Sequence, residues 1–498
     1  MKNETKLMPI MAALLLGIFV ASLDNTIVAT SMGSIIGDLG GMDKYVWVTS
    51  AYLVAEMAGM PIFGKLSDNF GRKRFFIVGI ILFLIGSMLC GTAQTMIQLC
   101  LFRALQGIGG SALMPIAFTI IWDVVPPEKR GKMSGIFGAV FGLSSIAGPL
   151  LGSFITDHMD WRWIFYINIP IGLLALALII IFYKESSYHT KAAIDWAGAI
   201  LLVSFTIALM FALELGGHTY PWSSWKILSL FALALVCFSI FLVVETKIKD
   251  PILPFKLFKE RLYTTGVLTG MFYGAVFMVS TIYIPLYIQG VTGGTATNSG
   301  LLLLPMMVTS SVGAAIGGAL ANKISYKKIM ITSSIVMGIG TFLLSTLDPS
   351  TPRWLLTIYM MIIGFGVGPS FSVLGMASLQ NALPQERGIA SSTSNFLRSL
   401  GMTLGITVFG IIQRNSFTDE LPKMFQNGTN EESGSILSSE ARAQIPTDVL
   451  KSITNILSDS ITTTFLWTFI PLAISFMCIL CMSKDKAGHS PLQQTNES

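Results

Sequence analysis

The sequence predicts an all-α polytopic membrane protein: two six-helix bundles built as parallel repeats, with two further helices inserted between them, making 14 transmembrane helices. Three observations carry this reading. Only 12% of the 498 residues are charged and 52% are hydrophobic, with a mean hydropathy of +0.68, whereas a soluble domain carries about a quarter charged residues. Apolar runs long enough to cross a hydrocarbon core about 30 Å thick recur along the whole chain. Two pairs of loop sequences also return in the same order at nearly equal spacing. The composition excludes a soluble enzyme and a nucleic-acid binder. The net charge of +5 (pI about 8.8) is what Lys and Arg held in cytoplasmic loops produce.

Taken in order, the spans fall at about 8–30, 46–63, 75–93, 97–122, 133–155, 163–183, 195–215, 226–244, 263–288, 299–320, 329–347, 354–378, 388–412 and 462–482. The first holds Asp24 and no small-residue cleavage site follows it, so it reads as a helix and not as a signal peptide. An even number of spans puts both termini on one side. With that side cytoplasmic, the inner segments collect most of the basic residues, among them Lys65, Arg72, Lys73, Arg74, Lys129, Arg130, Lys132, Lys327 and Arg387. The short outer segments hold only Lys44, Arg162, Lys226 and Arg353. This positive-inside pattern predicts a multi-pass protein of the cell (plasma) membrane with both ends in the cytoplasm.

The expected units are an N-terminal bundle at 1–185, the inserted pair at 186–250, a C-terminal bundle at 251–483 and a cytoplasmic tail at 484–498. A polar stretch at 413–461 is expected as a long outer loop. Its piece from Ser435 to Leu457 has patchy helical spacing, and either lies on the membrane surface or is simply solvated. Asn427-Gly428-Thr429 is a glycosylation sequon by pattern only. Cys90, Cys100, Cys237, Cys478 and Cys481 all fall in apolar runs, so neither a disulfide framework nor a metal site is expected.

The repeat is the main architectural clue. Gly64-Lys65-Leu66-Ser67-Asp68-Asn69-Phe70-Gly71-Arg72-Lys73-Arg74 follows span 2, and Gly318-Ala319-Leu320-Ala321-Asn322-Lys323-Ile324-Ser325-Tyr326-Lys327-Lys328 follows span 10. Pro127-Glu128-Lys129-Arg130-Gly131 and Pro384-Gln385-Glu386-Arg387-Gly388 form the second pair. Parallel repeats of this kind build transporters whose substrate path lies between the halves near the bilayer midplane.

These residues also carry a family resemblance. The loop from Gly64 to Arg74 resembles the cytoplasmic signature of the major facilitator superfamily. Arg103-Ala104-Leu105-Gln106-Gly107 in span 4 is similar to its second signature, and Gly148-Pro149-Leu150-Leu151-Gly152-Ser153 resembles the antiporter signature, with Ser153 where a Gly is usual. Leu23-Asp24-Asn25-Thr26 and Trp161-Arg162-Trp163-Ile164-Phe165-Tyr166-Ile167-Asn168-Ile169-Pro170 look like hallmarks of the fourteen-helix drug:proton antiporters. The resemblance implies alternating access driven by a proton gradient, with no cofactor, and a small-molecule substrate.

The physical reading stands beside the name. Gly64 and Gly71 permit a tight turn with close backbone approach. Asp68 is placed to accept bonds from free N–H groups at the start of the next helix and to pair with Arg72 or Arg74. That makes either a gating latch or an anchor with an N-cap. Small residues at Gly135, Gly138, Gly142, Ser145, Gly148 and Gly152 line span 5, and Pro149 removes one backbone bond. Close packing explains the glycines, and the resemblance adds a pivot or proton seal.

Ionisable side chains at mid-span cost about 2.5–3.5 kcal/mol each on insertion scales. Four such residues are deep: Asp24, Glu56, Arg103 and Arg398. Asp24 is roughly 24 Å up span 1 and Arg103 roughly 10 Å below the outer face in span 4, at 1.5 Å per residue, so the two lie at similar depth. If both face a central cavity, as the resemblance implies, they can pair, and a change in their separation moves a proton on or off. A static ion pair is the alternative.

Glu56 stands where the family usually has a small or apolar residue. It is either a second proton or cation site or a carboxyl kept protonated. The absence of deep acids in spans 9–14 suggests one or at most two protons per cycle. Arg398, three residues after Asn395, has no acid in its half and either binds an anionic group or holds backbone carbonyls. Gln106, Asn395, Arg398, Tyr283 and Phe371 are the candidate lining of a substrate cavity.

A Walker-type phosphate loop is missing from the sequence. None of His158, His189, His218 and His489 is inside a span and no Gly-x-Ser-x-Gly occurs, which disfavours an intramembrane enzyme. A non-transporting receptor is not excluded by composition, but the deep charges and the gate loop weigh against it. The reading is a monomeric, proton-coupled exporter of amphipathic, often cationic drugs. An exporter of one endogenous lipid, peptide or siderophore-like compound on the same scaffold is the alternative.

Overall fold

The computed structural model describes residues 4–40, 45–185, 195–217, 219–248, 250–253, 255–294, 296–424 and 447–487. The first half consists of α1 (Glu4–Leu39), α2 (Tyr45–Phe70), α3 (Arg72–Gly91), α4 (Met96–Val124), α5 (Pro127–His158) and a sixth span broken into α6 (Trp163–Tyr166) and α7 (Asn168–Phe182). The inserted pair is α8 (Trp196–Leu215) and α9 (Trp225–Lys247). The second half consists of α10 (Arg261–Gly290), α11 (Ala296–Leu320), α12 (Tyr326–Ser345), α13 (Arg353–Gln380), α14 (Arg387–Met424) and a final broken span, α15 (Thr447–Trp467) and α16 (Phe469–Cys481).

Local chemistry sets many of these boundaries. Thr95, Asp195 and Ser224 each accept a hydrogen bond from a backbone N–H in the first turn of α4, α8 and α9. Gly71, at φ +112°, makes the turn that separates α2 from α3. Both broken spans have the same cause. Pro170 and Pro471 lack the N–H that would reach Tyr166 and Trp467, so each helix is interrupted just before the proline.

Among the described residues thirteen helical stretches are long and apolar enough to cross a membrane; a fourteenth helix, α2, carries Glu56 at mid-length and packs along α4. The chain is thus a multi-pass membrane protein with fourteen spans. Exposed Leu101, Ile181, Leu235 and Ile200 give its flanks an apolar surface suited to lipid.

The repeat is visible in the packing. In the first half α1 packs on α5, α2 on α4, α3 on α4, and α7 on both α1 and α3. In the second half α10 packs on α14, α11 on α13, α12 on α13, and α16 on both α10 and α12. The halves meet through α2 against α14 and α5 against α11, again a matched pair. Of the inserted helices, α8 leans on α2, with Trp47 and Phe211 rings 4.8 Å apart, and α9 packs on α8.

One expectation needs correction. The stretch 413–461, expected as a loop, is helical at both ends: α14 runs on to Met424 and α15 begins at Thr447. The two helices are tied together where Gln413 donates to Ser460 Oγ at 3.1 Å. The extensions are polar because they continue past the apolar part of the spans, so hydropathy alone reads them as loop. The sequon at Asn427 and most of the Ser435–Leu457 piece lie outside the described residues, as do His189, His218 and His489.

Candidate functional site: a mid-membrane charge cluster and a latch between the halves

Asp24 and Arg103, on α1 and α4, are both fully buried and form an ion pair. Amide donors and a backbone carbonyl surround them, while Arg103 Nη2 and Asn168 Oδ1 are buried without a hydrogen-bond partner among the described residues. Asp24 Oδ1 accepts from Gln106 Nε2 at 2.8 Å and from Asn168 Nδ2 at 2.9 Å. Arg103 donates to Gln106 Oε1 at 2.7 Å and to the Val48 carbonyl at 3.3 Å, and its guanidinium lies 4.2 Å from the Tyr52 ring centroid. Asn168 also donates to Ser87 Oγ at 3.0 Å.

The geometry explains why Asn168 is there. It is the first residue of α7, at the interruption set by Pro170, which turns its side chain into the bundle. Gln106, expected at the substrate cavity, instead belongs to the hydrogen-bond shell of Asp24. Asn168, Ser87 and Tyr52 were not singled out in the sequence, although Asn168 stands inside the Trp161–Pro170 hallmark.

Glu56, one turn along α2 from Tyr52, lies near enough to Arg103 and Asp24 to feel both charges. Its side chain is half-buried, and among the described residues no hydrogen bond or ion pair reaches it.

On the basic face the two halves are latched. Asp68 accepts from the backbone N–H groups of Gly388 and Ile389, both at 2.9 Å, and so caps the start of α14 in the opposite half. The sequence suggested a cap on the next helix, α3. That position is taken by Glu185, which accepts from Lys73 N at 3.2 Å and Arg74 N at 3.4 Å. Arg72 donates to Asp68 at 3.1 Å, pairs with Asp123 and reaches the Pro384 carbonyl across the interface. Arg387 returns to Asp123 at 3.0 Å.

Asp68 lies past the apolar stretch of α2, and burial pushes its carboxyl up to about 6 despite the opposing pull of Arg72 and the two backbone donors. Gly64 is needed because a Cβ there would overlap the Ser392 side chain. Gly71 leaves room for the Glu185 carboxylate.

The glycine stripe of α5 divides in two. Gly131, Gly135, Gly138 and Gly142 face α11, where a Cβ would overlap Gly318, Ala315, Ala314 and Ser311 in turn. Gly148 and Gly152 face α1, against the Thr26 and Thr30 hydroxyls, with Pro149 between them. The antiporter-type segment therefore packs on the helix that carries Asp24, beginning two residues past it.

In the second half Arg398 Nη2 donates to the Ser370 carbonyl at 3.1 Å, and the guanidinium lies 5.1 Å from the Phe371 ring. Phe371 meets Phe277 edge-on at 5.7 Å. Asn395 bonds the Ser391 carbonyl of its own helix at 2.9 Å, and Tyr283 is buried on α10. A cavity of about 240 Å³ opens between α10, α14 and the α15–α16 break, lined by Met271, Phe272, Leu404, Trp467 and Pro471. Its walls carry no polar side chain and it is remote in sequence and bundle from Asp24, so it is not the site of the charge chemistry.

Two pseudo-equivalent helical bundles, a charge cluster enclosed in one of them and a polar latch between them define a membrane transporter of the two-repeat type. The chain belongs to the Major Facilitator Superfamily, whose pattern it matches over residues 14–406. It is 52% identical over 488 residues to "Multidrug resistance protein 3" of Bacillus subtilis (strain 168), covering 96% of this chain and 95% of that protein. It is 36% identical over 521 residues to "Multidrug transporter protein MdtP" of the same organism, covering 99% and 96%. Among solved structures, the human organic anion transporter MFSD10 shares the fold, with a TM-score of 0.60, 14% identity and coverage of 93% of this chain and 99% of that one.

Proposed function

We propose that this transporter is a proton-coupled antiporter that exports amphipathic, often cationic compounds by alternating access. The basic face and both termini are cytoplasmic in the plasma membrane, the working unit is a monomer, and the proton gradient is the only energy source. The observation that carries the reading is the Asp24 cluster. A carboxylate sealed at mid-membrane is retained against an insertion cost of about 2.5–3.5 kcal/mol, and donors from α4 and α7 converge on it. A group so placed exchanges its proton only when the helices move apart, which couples protonation to conformation.

The names of the two Bacillus relatives support the substrate class. The Asp68 latch supports the cycle: it seals the basic face here, so it must break for substrate to enter from the cytoplasm.

The test is transport into inverted membrane vesicles under an imposed pH gradient. Asp24→Asn is expected to abolish gradient-driven uptake at wild-type expression. Uptake by that variant that still follows the gradient would remove the proposal.

A further inference from the structure

Resting on the proton-coupled reading, we infer that Glu56, and not Asp24, is the carboxylate at which a substrate's cationic group and a proton displace one another. Asp24 is closed to a ligand. It is fully buried, one oxygen accepts two amide donors and the other faces Arg103, so a cation arriving there would have to displace three partners already in place.

Glu56 differs in each respect. Its side chain keeps partial exposure and, among the described residues, has no hydrogen-bond or ion-pair partner. Its place on α2 says where that exposure points. Tyr52, one turn before it, lies against Arg103 of α4, and Gly59 abuts Ser111 of α4. Met57, the next residue, touches Thr403 of α14, with sulfur and hydroxyl 4.0 Å apart. At 100° per residue the Glu56 side chain falls between these two faces, at the seam between the halves and not toward lipid.

An unpaired carboxylate at this depth is costly as an anion and inexpensive either as the acid or beside a monovalent organic cation. Proton and cation therefore exclude each other there. The charged groups acting on Glu56 are Arg103 of α4 and Asp24 of α1; its own helix offers Tyr52, and α14 presents Thr403 beside the neighbouring Met57. The Asp24–Arg103 pair nearly cancels at a distance, which leaves Glu56 as the local source of negative potential toward the seam. The ligand class this selects is a delocalised apolar cation, bound without hydrogen bonds.

The experiment uses the full chain purified in detergent, with tetraphenylphosphonium as the probe. Equilibrium binding is read together with proton release into a weakly buffered medium containing a pH dye. Wild type is expected to bind the cation with release of up to one proton. Glu56→Gln should weaken binding at least tenfold and release none, and Glu56→Asp should retain both.

Wild-type behaviour of Glu56→Gln, or no binding by wild type, would each overturn the inference. Failure of the proton-coupling reading would show separately, as wild-type vesicles that move no compound under a pH gradient while cation-linked proton release in detergent persists.

Discussion

Removing the Asp68 carboxylate should unlatch the basic face by an amount that the geometry allows to be worked out. Asp68 makes two charge-assisted bonds to α14, from Gly388 N and Ile389 N at 2.9 Å each, and both cross between the halves. Bonds to charged groups contribute about 1.5–3 kcal/mol each, so the two together favour the latched arrangement by about 3 kcal/mol, taking the low end. Asp68→Ala loses both, and the latched population relative to the open one should fall roughly a hundredfold, at about 1.4 kcal/mol per tenfold. Asp68→Asn keeps one acceptor oxygen and buries no charge, so it should lose less than Asp68→Ala.

Because these bonds join two bodies and not two parts of one fold, the loss should appear in the conformational equilibrium and leave the melting temperature nearly unchanged. Hydrogen–deuterium exchange over the peptide 384–392 reads it directly, through the Gly388 and Ile389 amides. Faster exchange is expected in the order Ala, Asn, wild type, with slower transport in the same order. Protection of those amides in Asp68→Ala equal to wild type would refute the assignment of the latch.

Three other outcomes follow from the same contacts. Gly131→Val would drive a side chain into the Gly318 backbone, so turnover should drop at least tenfold with equilibrium substrate binding within about twofold; Gly338→Val, where a single leucine side chain stands nearby, is the control. Asn168→Ala removes the bonds to Asp24 and Ser87 at 2.9 and 3.0 Å and should cost about 1–3 kcal/mol of stability in a thermal melt, with Asn168→Asp worse because it sets a second carboxylate beside the first. The Asp68 carboxyl titrates at about 6 when latched and returns toward about 3.9 once water reaches it. The latched state thus binds the proton more tightly, and lowering the pH from about 6 to 4 should favour closure of the basic face, visible as slower exchange at Gly388 after correction for intrinsic rates.

Much of this architecture was legible because the bilayer simplifies the problem. With few charges available, each deep one demanded an explanation, and Asp24 and Arg103 could be matched by counting residues from opposite faces. The repeat was legible because the two basic loops kept their Gly and Lys/Arg positions. What stayed hidden were partners that no local period encodes.

Asp68 looked like a cap for α3, since sequence shows only the nearest helix start; the structure gives that start to Glu185 and gives Asp68 the start of α14, about 320 residues away. Asn168 was passed over because an amide in an apolar run carries no charge signal, and its role depends on the interruption that Pro170 imposes. The helical ends of 413–461 were missed because a helix that continues into water loses the apolar pattern that marked it in the membrane.

The contacts within each half and those between the halves differ in a way that bears on the proposed coupling. Within each half the end of the sixth span is tied back to the loop before the third: Lys73 donates to the Ile180 carbonyl at 2.7 Å, and its repeat counterpart Lys327 donates to the Leu480 carbonyl. Glu185 caps α3, and the Asp485 carbonyl accepts from Tyr326 N at 3.0 Å. These braces make each half one body.

Between the halves the basic face is closed by polar bonds, chiefly Asp68 to α14, Arg72 to Pro384 and Arg387 to Asp123, and by the glycines of α5 packed on α11. Such bonds exchange for water at a net cost of about 0.5–3 kcal/mol each, so the polar part of the latch amounts to several kcal/mol. One proton crossing the membrane supplies about 2.3 kcal/mol per 100 mV, before any pH difference is added. On the proposed proton coupling, bonds of this strength are within reach of one or two protons, which is as many as Asp24 and Glu56 can hold. Leucine in place of the fully buried Ala314, which already abuts Gly138, should conversely force the two faces apart and impair closure even with both acids intact.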